Sequence, residues 1–251
     1  VIRVNMQKIS TEKLTELLIL DGVQVAVCHG LKDYLTIRNT GDIKLLSGYT
    51  EGLFQVQDKS SGLAVRLLDP QPGETIIDVC SAPGGKTTHI SHLQQDQGRI
   101  IACDFAPKRL RRVRAHCQRL QLENVSVIAM DGCRPGLNIQ ADRVLVDAPC
   151  SGMGTIARRA DLRWRRQPED IPAVQRVQKA LLDSSAYLVK TGGTLVYSTC
   201  SIETEENEDV LEYFCKRHSE FEIEKPADWH SELSDVMDTQ GIVRTLPSRH
   251  G

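Results

Sequence analysis

The fold of this chain is decided by one segment, Thr75-Ile76-Ile77-Asp78-Val79-Cys80-Ser81-Ala82-Pro83-Gly84-Gly85-Lys86. Its first five residues are typical of a buried parallel strand, and the glycine pair lets the chain turn sharply into a helix. The turn is not a Walker A loop, which needs glycine where Cys80 stands, and the pattern G-x-G-x-x-G is absent. A glycine pair alone is as consistent with a tight turn as with a ligand site.

Strands and helices alternate from this segment onward. The predicted strands are 75–79, 100–104, 125–129, 144–147 and 193–198, and the predicted helices are 86–93, 107–120, 173–189 and 204–217. This alternation predicts a Rossmann-like α/β fold, a parallel sheet with helices on both faces. Ligands of such sheets bind beyond the carboxyl ends of the strands, so the residues at those ends are candidates for the site.

The first 48 residues predict a small α/β unit of ferredoxin-like or RRM-like type. Strands are expected at 2–5, 23–27 and 34–37, with a helix from Ser10 or Thr11 to Leu20. A glycine-containing linker follows, and the second half of 54–68 is expected to be helical. We therefore divide the chain into residues 1–48 and residues 49–251.

The net charge of the 251 residues is −2, which taken alone argues against a nucleic-acid partner. However, residues 203–238 hold 13 acids and 3 bases, a net of −10, whereas the rest of the chain holds 28 bases and 20 acids, a net of +8. The acids Glu205, Glu206 and Glu208 suit the first turns of a helix, where the dipole favours them. The basic body remains compatible with RNA.

Several features of the sequence indicate the cellular compartment of the protein. No apolar run approaches the roughly 20 residues of a membrane span, and no secretory signal opens the chain. The eight cysteines form no C-x-x-C pair, so we expect no metal site and a reducing, cytoplasmic location, with an organelle matrix as the alternative. Because the chain begins at Val1, we expect it to be a fragment.

Acidic residues follow the second and third strands of the predicted sheet. Asp104 comes about 20 residues after the glycine turn, where an acid can accept hydrogen bonds from ribose hydroxyls, and Asp131 follows the next strand. Each alone is better explained as a loop cap. Together with the turn they outline an adenosine-sized groove without a pyrophosphate fingerprint, which suits S-adenosylmethionine.

The fourth and fifth strands end in cysteine motifs, Asp147-Ala148-Pro149-Cys150-Ser151-Gly152 and Ser198-Thr199-Cys200-Ser201. Most buried cysteines are inert core residues, but two thiols at neighbouring strand ends favour chemistry. The helix expected from Thr204 would help to lower a thiol pKa from its usual value of ~8.5. Spacing alone does not tell which thiol attacks a substrate.

Two basic clusters are candidates for RNA contact. The first lies on the helix 107–120 and is at least as well explained as a solvated face; it comprises Lys108, Arg109, Arg111, Arg112, Arg114 and Arg119. The second surrounds an aromatic residue after Cys150 and comprises Arg158, Arg159, Arg163, Trp164, Arg165 and Arg166. Bases beside an aromatic ring favour phosphate contact with base stacking, so we assign RNA binding to the second cluster.

The quoted motifs resemble the Nop/Sun family of RNA cytosine-5 methyltransferases, and most closely its bacterial Sun or Fmu type, which acts on small-subunit ribosomal RNA. Further matches are Gly52-Leu53-Phe54-Gln55-Val56-Gln57-Asp58, Arg163-Trp164-Arg165 and Glu205-Glu206-Asn207-Glu208. The resemblance implies a methyltransferase domain in residues 49–251, an RNA-binding unit in residues 1–48, S-adenosylmethionine as cofactor, an unpaired or flipped cytosine in RNA as substrate, and a monomer. Family members of this type also carry a helical domain before the position of Val1 and a final apolar strand after residue 251.

The resemblance also implies residue roles. Cys200 is the expected nucleophile and Cys150 assists, although DNA cytosine-5 methyltransferases use the cysteine of a Pro-Cys motif, here Cys150. Asp147 and Lys86 are expected to face the reacting base. The expected cofactor site comprises Cys80, Ser81, Ala82, Pro83, Gly84, Gly85, Lys86, Asp104, Arg109, Asp131 and Asp147. The alternatives are methylation of transfer RNA or DNA, and a non-catalytic RNA-binding assembly factor.

Overall fold

A computed structural model of the protein describes residues 1–28, 30–157, 159–165, 167, 169–224 and 236–246, and Arg163 by its backbone only. The helices within these ranges include none that is both long and apolar enough to cross a membrane. The described residues form two sheets, a four-stranded antiparallel one and a five-stranded parallel one.

The antiparallel sheet is built around the N-terminus. Its strands are β1 (Ile2–Val4), β2 (Gln24–Cys28), β3 (Leu31–Arg38) and β4 (Phe54–Val56), in the order β2-β3-β1-β4. Helix α1 (Thr11–Leu20) begins after Ser10, whose side chain accepts the Lys13 amide. A short 3-10 helix, Ile43–Leu45, stands where a ferredoxin-like unit has its second helix. Strand β4 lies beyond residue 48, where we divided the chain, because three residues are too few to show a strand pattern.

Both faces of this sheet are covered over part of their area. One face packs on α1 through Leu14 and Leu18. The other carries Arg3, Tyr34 and Gln55, which are 1%, 0% and 4% exposed, and Arg3 Nη2 donates to Thr88 Oγ1 of the larger domain at 3.1 Å. RNA recognition motifs stack bases on an open sheet face. That face is closed at Arg3, Tyr34 and Gln55, whereas Gln24, Ala26 and Arg38 are exposed on the same face. The RNA-binding role of residues 1–48 stays a prediction.

The parallel sheet has the predicted Rossmann-like topology, with strand order β7-β6-β5-β8-β9. Its strands are β5 (Thr75–Asp78), β6 (Arg99–Asp104), β7 (Val125–Ala129), β8 (Ala141–Asp147) and β9 (Val189–Ser198). The remaining helices are α2 (Lys59–Leu68), α3 (Gly85–Leu93), α4 (Pro107–Leu120), α5 (Leu162–Arg165), α6 (Asp170–Ala186) and α7 (Glu208–Arg217).

Two of the differences between the predicted and the observed bounds of helices and strands are informative. Helix α6 ends at Ala186 and β9 begins at Val189, because Val189 pairs with Ala141 at the start of β8. The helix predicted from Thr204 is instead a 3-10 turn, Thr204–Glu206, followed by α7 from Glu208.

The core explains why the central strands are apolar along their whole length. Ile77, Val144 and Val146 pack on one face of the sheet with residues of α6 and α7, whereas Ile76, Ile100 and Leu145 pack on the other with residues of α2 and α3. Successive side chains of a strand point to opposite faces, so a strand covered by helices on both sides has no solvated position.

Arg119 joins the two sheets, contrary to the solvated position suggested by its basic neighbours. Its Nη1 donates to the carbonyl oxygens of Tyr49 at 2.6 Å and Phe54 at 3.0 Å. Gly52 lies against the same turn of α4 with a φ of +69°, and a Cβ there would be 3.0 Å from the Cα of Leu120. The junction therefore depends on a glycine in the left-handed region.

We expect Gly52→Ala to lower the free energy of unfolding by about 2–4 kcal/mol. Two costs contribute to this loss, the strain of the left-handed backbone and the collision of the new Cβ with α4. Urea denaturation measures the change. Gly41→Ala is the matched control, since Gly41 has a φ of +56° and a Cβ there would meet nothing within 4 Å beyond its chain neighbours. Equal losses in the two variants would contradict the collision as a cause.

Candidate active site

The carboxyl ends of four strands meet at one edge of the parallel sheet. Asp78 pairs in register with Ala102 of β6 and Leu145 of β8, and Asp147 pairs with Ser198 of β9. The motifs that follow these strands in the sequence are therefore brought to the same edge. Such an edge is where open parallel sheets bind ligands.

The first turn is built around the buried carboxylate of Asp78. Thr87 Oγ1 donates to its Oδ2 at 2.7 Å, whereas its Oδ1 is buried and has no hydrogen-bond partner. Burial is the main cause that raises the pKa of Asp78 to about 7, although the hydrogen bond from Thr87 opposes it. Gly84 has a φ of +109°, so the chain enters α3 through a conformation that favours glycine.

Asp104 and Arg109 form one unit with the first turn. The Asp104 carboxylate accepts the amides of Ala106 at 3.0 Å and Ala82 at 3.3 Å, and it pairs with Arg109 Nη1 at 3.2 Å. Arg109 Nη2 also donates to the Ala82 carbonyl oxygen at 2.7 Å. The two predicted site residues are thus brought together, and both support the backbone before the glycine pair.

Asp131 and Phe105 lie at the ends of β7 and β6. Asp131 is exposed and caps its own loop by accepting the Cys133 amide at 2.9 Å. Phe105, which the sequence analysis did not select, is 76% exposed directly after Asp104. An exposed phenylalanine at a ligand-binding edge offers a flat surface for a ring. The sequence could have identified Phe105 as a candidate, because it directly follows Asp104 at the end of a predicted strand.

Asp147 and Lys86 form an ion pair of 2.7 Å between the end of β8 and the start of α3. Ser198 Oγ of β9 also donates to Asp147 Oδ1 at 2.9 Å. Three elements therefore orient one carboxylate at the sheet edge. Lys86 is the second residue of α3, so its position follows directly from the glycine turn before it.

The two strand-end thiols lie against each other. The sulfur atoms of Cys150 and Cys200 are 3.0 Å apart, and the Cys200 amide donates to the Cys150 sulfur at 3.3 Å. Cys200 is the exposed member, while Cys150 is half-buried behind it. Two elements that are 50 residues apart in sequence thus produce one dithiol site.

The pair has unequal acidity. The hydrogen bond with Cys150 is the main cause that lowers the pKa of Cys200 to about 7, against the effect of burial, with a smaller contribution from Lys86. The same hydrogen bond, together with burial, raises the pKa of Cys150. Cys200 is therefore the more acidic thiol of the pair. The helix N-terminus expected to activate Cys200 is not adjacent, since α7 begins at Glu208.

The second basic cluster is described in part. Trp164 is 86% exposed in the short helix α5, and Arg165 of the same helix is 3.5 Å from Asp161. Arg159 is exposed beside them. Arg158, Arg166 and the side chain of Arg163 lie outside the described residues. Within the described part of the chain, no three acidic, histidine or cysteine side chains are grouped as metal ligands.

Three comparisons relate the chain to known proteins. It is 41% identical over 254 residues to the "Probable ribosomal RNA small subunit methyltransferase B" of Synechocystis sp., covering 99% of this chain and 57% of that protein. The crystal structure of PH0851 covers 99% of this chain and 56% of its own, with 36% identity and a TM-score of 0.92. NSun6 from Pyrococcus horikoshii, solved with SFG, covers 90% and 81%, with 26% identity and a TM-score of 0.82.

The chain spans about half of the length of the curated relatives it matches. The sequence profile of the family described as 16S rRNA methyltransferase RsmB/F matches residues 65–251, which include the whole parallel sheet and both cysteine motifs. On this match and on the Synechocystis relative, the chain belongs to the RsmB/F family of 16S rRNA methyltransferases.

Proposed function

We propose that the protein transfers a methyl group from S-adenosylmethionine to carbon 5 of a cytosine in small-subunit ribosomal RNA, through a covalent bond between Cys200 and carbon 6. The observation that carries the proposal is the exposed Cys200 thiol, 3.0 Å from a second thiol at the ligand-binding edge of the sheet. Small-subunit RNA is the substrate named for the relatives in this family.

The chain's own residues fit the cofactor. Asp78 Oδ1 and Ser81 Oγ are buried polar atoms without a partner beside the glycine turn, and a ligand amino or carboxyl group there would satisfy them. Phe105 offers its ring at the same edge. Asp104 is 2% exposed and its oxygens are already used by backbone amides and Arg109, so its first effect is to hold the turn. When bound, the cofactor supplies an electrophilic methyl group.

The thiol pair matches what the reaction needs. Carbon 5 of cytosine is a weak nucleophile, but addition of the Cys200 sulfur to carbon 6 moves a ring electron pair onto carbon 5. Carbon 5 would then bond to the methyl group as the bond between that group and the cofactor sulfur breaks, which leaves a neutral thioether. A base removes the proton from carbon 5, and the freed electron pair expels the Cys200 thiolate, which restores the aromatic ring and frees the enzyme.

Asp147 and Lys86 recognise and polarise the base in this mechanism. The Asp147 carboxylate is an acceptor for the amino group that distinguishes cytosine from uracil, and the Lys86 ammonium is a donor that offsets charge building on the ring during addition. Their ion pair of 2.7 Å holds both groups at the edge where Cys200 lies. Trp164 and Arg159 are exposed on the segment that follows Cys150 and suit stacking and phosphate contact.

The proposal is tested with the full-length protein and RNA that carries tritium at carbon 5 of cytosine. We expect one tritium to be released to water for each methyl group incorporated into small-subunit ribosomal RNA. Methylation of a nitrogen or oxygen atom would retain the tritium and contradict the proposed chemistry. Transfer to transfer RNA alone would correct the substrate, and no transfer to any RNA would favour an assembly factor without activity.

A further inference from the structure

Glu206 is a buried carboxylate that joins the two cysteine loops. It is 0% exposed and lies in the 3-10 turn that follows Cys200. Its Oε1 accepts the Ser151 amide at 2.7 Å and Gln178 Nε2 at 3.0 Å, and its Oε2 accepts the hydroxyl groups of Ser151 and Ser201. The carboxylate thus uses four donors, whereas the sequence alone predicted an acid that the dipole of a helix start favours.

These partners come from both halves of the thiol site. Ser151 follows Cys150 at the end of β8, and Ser201 follows Cys200 at the end of β9. Their hydroxyl oxygens are 3.1 Å apart, and each donates to the same Glu206 oxygen. Gln178 Nε2, from α6, also donates to the Pro149 carbonyl oxygen at 3.0 Å. One carboxylate is therefore a common anchor of the two loops, beside the backbone hydrogen bond that the Gly154 amide donates to the Cys200 carbonyl oxygen at 3.0 Å.

The burial of Glu206 calls for a reason other than charge pairing. Among the described residues, no lysine or arginine forms an ion pair with it. Burying a carboxylate is costly unless hydrogen bonds replace its hydration, and here four donors do so. Because the two loops supply three of the four donors and no described cation pairs with the carboxylate, its effect is on the geometry of the loops.

We propose that Glu206 is a positioning residue that holds Ser151 and Ser201 together and so fixes the contact between the Cys150 and Cys200 sulfurs. Only the expected effect on methyl transfer rests on the proposed function. The contact itself exists in the free protein and is measurable without RNA. Ser201 is the corresponding positioning residue on the Cys200 side.

The experiment compares Glu206→Gln and Ser201→Ala with two matched controls in the full-length protein. Glutamine keeps the shape of the side chain but replaces one acceptor oxygen by an amide donor, so it cannot accept all four donors. Glu205→Gln changes an exposed neighbour, and Ser201→Thr keeps the hydroxyl group. All four proteins are compared with wild type by thermal unfolding before other measurements.

The first readout is the pH dependence of Cys200 alkylation by iodoacetamide, followed on the peptide that contains it. The groups that face Cys200 are Cys150, Lys86 and Asp147. We expect a midpoint near the wild-type pKa of about 7 in both controls. In Glu206→Gln and Ser201→Ala the midpoint should rise toward the ordinary thiol value of ~8.5, because the Cys150 donor is no longer held at Cys200.

The second readout is methyl transfer, with an expected fall in kcat of about 10²-fold and a KM for the cofactor within about threefold of wild type. If both variants fold and keep the wild-type alkylation profile and kcat, the inference is wrong. If Glu206→Gln does not fold, Ser201→Ala decides on the same criteria. If wild type transfers no methyl group, the proposed function fails, but the alkylation profiles still decide whether Glu206 positions the thiols.

Discussion

We expect Cys200→Ala to lower methyl transfer to RNA by at least about 10³-fold, the size of effect that follows when a covalent nucleophile is removed. The reason is that no other described group at this edge combines exposure with a thiol pKa lowered to about 7. The variant should also form no RNA adduct that survives denaturing electrophoresis. Transfer of tritiated methyl groups to RNA measures the rate.

Cys215→Ala is the control for loss of a thiol, because Cys215 is a half-buried residue of α7 away from the strand ends. We expect it to keep wild-type transfer. Binding of S-adenosylmethionine to Cys200→Ala, followed by calorimetry, should remain within about threefold of wild type, since Cys200 is not part of the turn at Asp78. An active Cys200→Ala would contradict its role as nucleophile.

We expect Cys150→Ala to accumulate a covalent RNA adduct, with a fall in multiple turnover of about 10²- to 10³-fold. During release, the Cys200 sulfur leaves carbon 6 as a thiolate, and the Cys150 thiol 3.0 Å away is the donor that stabilises it. Without that donor, departure of the thiolate slows more than its attack. Denaturing gels of the variant incubated with RNA and S-adenosylmethionine should show the protein shifted by the bound RNA.

The same variant should show a changed pH dependence. The hydrogen bond from Cys150 is the main cause of the lowered pKa of Cys200, so its loss raises that pKa. Formation of the adduct should then be slow at pH 7 and accelerate as the pH rises through ~8.5, the ordinary thiol value. An inactive Cys150→Ala without adduct, together with an active Cys200→Ala, would reverse the roles of the two cysteines.

The parallel sheet could be predicted because each of its strands is an apolar run that ends in a recognisable turn. Asp78, Asp104, Asp147 and Ser198 are the last residues of their strands, and Asp131 is the second residue after the end of β7. The sequence alone brings them to one edge once the sheet is inferred. The errors in the predicted helices and strands fall where the hydrophobic pattern is short or ambiguous. The strand Phe54–Val56 has three residues, and Val189 continues the apolar pattern of a helix although it pairs with Ala141.

The sequence predicted that Cys150 and Cys200 lie near each other, but not that their sulfur atoms are in contact. Sequence reasoning placed Cys150 and Cys200 at adjacent strand ends and left open, from the residues alone, which of them attacks. The structure distinguishes them by exposure and by the direction of the pKa shifts. Arg119 shows the opposite case, because its basic neighbours suggested a solvated face and its actual partners are backbone carbonyls of another segment.

Residues close together in the chain were enough to predict the alternation of strands and helices, the polar residues at the strand ends and the family resemblance. The three-dimensional structure was needed to show that Arg3 and Tyr34 are buried and that Glu206 turns inward to join the loops of Ser151 and Ser201. This is because the burial and the hydrogen bonds of a side chain depend on partners dozens of residues away, which the pattern of neighbouring residues does not reveal.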